Sequence, residues 1–170
     1  SKETVTSTSF KIFVFYRCRR HGEATPMQAD DAARQLTPTG QQEASRMGKW
    51  LACHYKPDAL LVSPYLRAQQ TAENATHNIP LLYKETCRDI TPDGIPQVAT
   101  DYLETLIAMH PQCNTWLVVA HMPIVSYLVD QLSPGNMPIF NTGAVAVIEY
   151  DETKQRSHYL SIHSPNNVEI

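Results

Sequence analysis

No apolar run in this 170-residue chain approaches the ~20 residues that a membrane span needs, so no membrane anchor or membrane partner is expected. Excess positive charge is missing too. The 14 Lys and Arg against 17 Asp and Glu leave a formal charge of -3, which gives nucleic-acid binding little electrostatic support. Any anion site must therefore be local. Cysteine is sparse, and Cys18, Cys53, Cys87 and Cys113 form neither a CxxC pair nor the dense framework of small secreted domains. A reduced, cytoplasmic setting is expected, with the cysteines acting as small buried hydrophobes. The polar stretch Ser1 to Ser9 lacks a basic leader and an apolar h-region, so it reads as a disordered arm and not as a signal peptide. No internal repeat, low-complexity tract or linker follows it, and residues 10–170 read as one domain.

A chain of this length can bury a core without disulfides or metal. Apolar runs at Lys11 to Tyr16, Ala59 to Ser63, Trp116 to Ala120 and Ala144 to Tyr150 read as strands. The two central runs lack polar alternation, as strands buried on both faces do. Ser157 to His163 is a candidate edge strand, and Ile79 to Tyr83 is ambiguous. Helical spacing lies between the strands. Thr39 with Gln42 has the form of a capping box opening a helix with Ala44, Met47, Leu51 and His54 in register, ending near Lys56-Pro57. A second helix should follow Ser63-Pro64, a third should run from about Ile95 to Met109, and a fourth should follow Met122-Pro123. The alternation predicts a three-layer α/β/α sandwich with a mostly parallel central sheet. The polar segment His21 to Pro38 reads as a long loop over the site.

Three strand ends carry basic residues. The first run leads into Arg20-His21-Gly22, the second into Ser63-Pro64-Tyr65-Leu66-Arg67, and the third into His121-Met122-Pro123. Open α/β sheets bind ligands at the carboxyl ends of their strands, so these residues fall where a ligand would sit. A neutral histidine attacks phosphorus through one ring nitrogen while the other keeps its proton, which makes His21 the candidate nucleophile. Arg20 and Arg67 are suited to grip phosphoryl oxygens, because a guanidinium stays charged and matches two oxygens at once. His121 would add a third charge-assisted hydrogen bond. Such a set of donors needs no metal or other cofactor, and activity should survive chelation.

With these motifs in this order, the chain resembles the histidine phosphatase superfamily and, within it, the short SixA-type phosphohistidine phosphatases. The resemblance runs from about Lys11 to Ile148. It implies a phosphoglycerate mutase-like fold, a phospho-His21 intermediate that water hydrolyses to inorganic phosphate, and a phosphate site at Arg20, Arg67 and His121. Glu23 and Met122 are further candidate substrate contacts. The implied partner is a phosphohistidine-bearing protein, such as a phosphotransfer domain.

Alkyl phosphate esters need an acid to protonate the leaving oxygen. Asp89 stands where the superfamily often carries a glutamate after a strand, while Glu23 sits two residues past His21. Asp89 is slightly favoured over Glu23. A phosphohistidine demands less, since its imidazole leaving group protonates near neutrality. Only about forty residues separate Thr71 from the Trp116 strand, which leaves little room for the capping insertion of larger relatives, so the site should be open to a protein surface. One departure stands out. Tyr16-Arg17-Cys18-Arg19-Arg20-His21 holds an insertion of about three residues relative to a single Arg-His. Either Arg17 or Arg20 then fits the gripping position, with a bulge to seat His21. Two rival readings remain: a small-molecule phosphomonoesterase, and a noncatalytic phosphate-binding or interaction module.

Overall fold

The computed structural model describes residues 33–141, 143–151 and 156–168, together with the strand backbone of 9–16. Six strands form one sheet: β1 (Ser9–Tyr16), β2 (Ala59–Val62), β3 (Tyr83–Thr86), β4 (Thr115–Ala120), β5 (Val145–Asp151) and β6 (Arg156–His163), in the order β3-β2-β4-β1-β5-β6. The first four run parallel, and β5 and β6 are antiparallel to their neighbours. The mostly parallel sheet expected from the sequence is therefore present.

Among the described residues, four α-helices cover it: α1 (Pro38–His54), α2 (Leu66–Ala75), α3 (Pro96–Met109) and α4 (Ile124–Leu132). Successive side chains of a strand point to opposite faces, and the core divides accordingly. Leu60 and Val62 of β2 with Leu117 and Val119 of β4 pack under Met47 and Leu51 of α1 and Ala68 and Ala72 of α2. Leu61, Trp116 and Val118 pack on the other side with Leu103 and Ile107 of α3 and Val125 and Leu128 of α4. Strands β2 and β4 are buried on both faces, which is why they lack polar alternation.

Several local readings change. The cap of α1 is Thr37, whose hydroxyl accepts from the Gly40 N–H at 3.1 Å, and not Thr39. Pro38 at the first helical position needs no donor partner, so the helix starts two residues earlier than the Thr39–Gln42 box implied. The ambiguous Ile79 to Tyr83 stretch is mostly a connection, and the strand there is Tyr83–Thr86, a polar edge strand exposed on alternate residues. Cys87 and Cys113 are buried as expected, but Cys53 is exposed on α1. Ser9, assigned to the arm, opens β1. Residues 1–8 and 17–32, with most of the proposed loop, lie outside the described residues.

Candidate active site

Register brings the strand ends together. Tyr16 of β1 pairs with Ala120 of β4, Val62 of β2 with Val119, and Val62 with Thr86 of β3, so all four parallel strands end at one edge. The chain steps outward from β1 to β2 and β3, then returns to insert β4 between β2 and β1. This is the switch in strand order where open α/β folds place their ligands. Helices α2 and α4 begin just after β2 and β4, so their N-terminal N–H groups add positive potential at this edge.

Arg67 lies in the first turn of α2 and is only 7 % exposed, an unusual degree of burial for arginine. His121 follows β4 directly and is 2 % exposed. The ring of Tyr65 joins them: the Arg67 guanidinium carbon lies 5.2 Å from its centroid, and the His121 ring lies 4.9 Å from it. Ser63 completes the group. Its buried hydroxyl is 2.7 Å from His121 Nε2 and accepts from the Tyr65 N–H at 3.3 Å. Gln69 secures the base of this turn, donating from Nε2 to the Ser63 carbonyl at 2.9 Å and to Thr86 Oγ1 at 3.2 Å. The Thr71 hydroxyl donates to the Arg67 carbonyl at 2.7 Å.

The Ser63 contact has a chemical consequence. A buried hydroxyl held 2.7 Å from Nε2 helps to fix the orientation and tautomer of the His121 ring. Neither Ser63 nor Tyr65 was singled out from the sequence, although both stand in the motif that carries Arg67. Their importance depends on the β2–β4 register, which local sequence does not reveal.

Asp89 lies in a 3-10 turn (Arg88–Ile90) just past β3, at the same edge and one strand beyond β2. It is half-buried, and its Oδ2 is 3.9 Å from the Cys87 sulfur. Burial pushes the Cys87 thiol above its ordinary range. Gly94 packs directly on the Asp89 carbonyl, leaving no room for a Cβ. Met122 is 37 % exposed beside His121, and the Ser126 hydroxyl is 3.2 Å from its sulfur. His21, Arg20, Arg17 and Glu23 lie outside the described residues. Among the described residues, no three His, Cys, Asp or Glu side chains group in a way that would hold a metal ion.

Comparison with known proteins shows the family. The family model for the histidine phosphatase superfamily (branch 1) matches residues 18–93. Phosphohistidine phosphatase SixA of Escherichia coli K12 is 37 % identical over 138 residues, covering 79 % of this chain and 84 % of that protein. The chain belongs to the histidine phosphatase superfamily. A SixA homolog of Haemophilus influenzae is also 37 % identical, over 145 residues, covering 79 % of this chain and 87 % of the relative. A solved structure of the protein histidine phosphatase SixA complexed with tungstate superposes with a TM-score of 0.78 at 33 % identity, covering 93 % of this chain and 99 % of that one. The chain therefore has the three-layer phosphoglycerate mutase-like fold of the SixA structures.

Proposed function

We propose that this chain is a phosphohistidine phosphatase of the SixA type, removing phosphate from a histidine of a cytoplasmic phosphotransfer or signalling protein. The observation that carries the reading is the gathering of Arg67 and His121 around Tyr65 at the edge where β1 also ends.

In the proposed reaction a His21 ring nitrogen attacks phosphorus in line. The P–N bond to the partner's imidazole breaks, and that imidazole takes up a proton as it leaves. Water then attacks phospho-His21, releasing inorganic phosphate and restoring the free histidine. Arg67, His121 and either Arg20 or Arg17 hold the equatorial oxygens, so protein cations meet the developing negative charge. Activity in the presence of a chelator follows from that donor set. Asp89 remains the first candidate for a proton donor, with Glu23 as its competitor, and it matters most for ester substrates.

The test is rapid quenching with a phosphotransfer domain labelled with radioactive phosphate. The wild-type chain should carry a transient label that is acid-labile and alkali-stable, and His21→Ala should carry none. Arg67→Ala should slow label transfer by on the order of 10²-fold or more. Turnover without any labelled enzyme would contradict the covalent route.

A further inference from the structure

The connection from α4 to β5 places exposed apolar side chains beside the site. Helix α4 carries the chain away from the active edge, and the following segment brings it back, because Val145 at the start of β5 pairs with Phe15 near the end of β1. On the way back, Pro134-Gly135-Asn136-Met137-Pro138-Ile139-Phe140-Asn141 contains no charged residue. Met137 is 52 % exposed and Ile139 87 %, while Phe140 is buried in the core. The backbone is pinned. Gly135 N–H donates to Asp130 Oδ1 at 3.1 Å, Asn136 Nδ2 donates to Ser133 Oγ at 2.9 Å, and the Pro138 carbonyl accepts from Ser126 Oγ at 3.1 Å. The same Ser126 hydroxyl touches Met122, which adjoins His121. Large apolar side chains held outward on a fixed backbone next to a site are a mark of an interaction surface.

We propose that Met122, Met137 and Ile139 form an apolar docking rim for the protein that bears the phosphohistidine. This rests on the phosphohistidine reading above. His121 and Arg67 are nearly buried, so the phosphoryl group must be delivered into a recess. A histidine side chain is short. To reach the recess, its carrier must press the surface around that histidine against the rim, and the rim offers methyl, thioether and amide groups in place of charge. The partner surface it fits is an uncharged apolar patch flanking the phosphohistidine, and such contacts act mainly on complex lifetime.

The test compares two substrates, a phosphorylated phosphotransfer domain and free phosphohistidine, on wild type and on Met137→Asp, Ile139→Asp and the double variant. Both side chains are exposed, so the fold should tolerate the changes. KM for the domain should rise by about tenfold or more in the double variant, with turnover of free phosphohistidine within about twofold of wild type. Unchanged KM for the domain, or equal losses on both substrates, would overturn the rim. So would a change of oligomeric state on sedimentation with KM unaltered, since the patch would then serve a second copy of this chain. If wild type hydrolyses neither substrate, the phosphohistidine reading itself fails and the rim falls with it.

Discussion

Ser63 sits behind His121 and Asp89 sits one strand away, and the two make different demands on the chemistry. Removing the Ser63 hydroxyl leaves His121 Nε2 without its 2.7 Å partner, freeing the ring to rotate and to change tautomer. Ser63→Ala should lower kcat/KM by about tenfold and cost about 1–3 kcal/mol of stability, because a buried ring nitrogen loses its partner. Normal kcat/KM in the variant would show that Ser63 does not orient the ring. For Asp89→Asn, hydrolysis of an alkyl phosphate should fall on the order of 10²-fold, and hydrolysis of phosphohistidine should change far less, because an imidazole leaving group protonates near neutrality. Equal rates on both substrates for mutant and wild type would remove Asp89 as the acid and leave Glu23.

Helices α1 and α2 meet at Gly48, where an added Cβ would collide with the backbone of Ala75. Neither partner is a flexible side chain, so relief requires the helices to move apart. Gly48→Ala should therefore lower stability by about 1–3 kcal/mol despite the better helix propensity of alanine, seen as a reduced urea midpoint. An unchanged or raised midpoint would mean the helices separate freely. At the other edge of the molecule, the His163 ring of β6 packs against Trp50 of α1, tilted by 40° with ring centroids 4.5 Å apart. Burial first, and then the neighbouring His54, hold its pKa below the ordinary value of 6.5. A histidine with a lowered folded-state pKa binds its proton more readily when unfolded. Stability should consequently decline as pH falls below about 6.5, and His163→Gln should flatten that part of the melting-temperature profile. A parallel profile in the variant would contradict this. The same elements show which features are legible in sequence. Strands β2 and β4 could be read directly because burial on both faces produces an unbroken apolar run. Strand β3 could not, since Tyr83-Lys84-Glu85-Thr86 is an edge strand with alternate residues in solvent and little hydrophobic signal.

Across the molecule, the mostly parallel sheet could be read from apolar runs separated by helices, but the strand order and the pocket depend on pairing and register. His121 and Ser63 are 58 residues apart and meet because β4 inserts beside β2 at a register that sequence patterns do not specify. Arg67 and His121 were legible because each follows a strand within a recognisable motif. Ser63 and Tyr65 were not, because their roles are contacts across strands. The carboxyl-terminal segment joins the same frame: Arg46 of α1 donates from Nε to the Pro165 carbonyl at 2.8 Å and from Nη2 to the Val168 carbonyl at 3.1 Å, closing the layer over β5. All of this gathers the ends of the parallel strands, with Arg67 and His121, at a single edge. The decisive measurement is phosphate release from a phosphorylated phosphotransfer domain, with chelator present, by the wild-type chain and by His21→Ala. The account predicts release by the wild type and none above background by the variant. Equal release by both, or phosphate binding without release by the wild type, would contradict it.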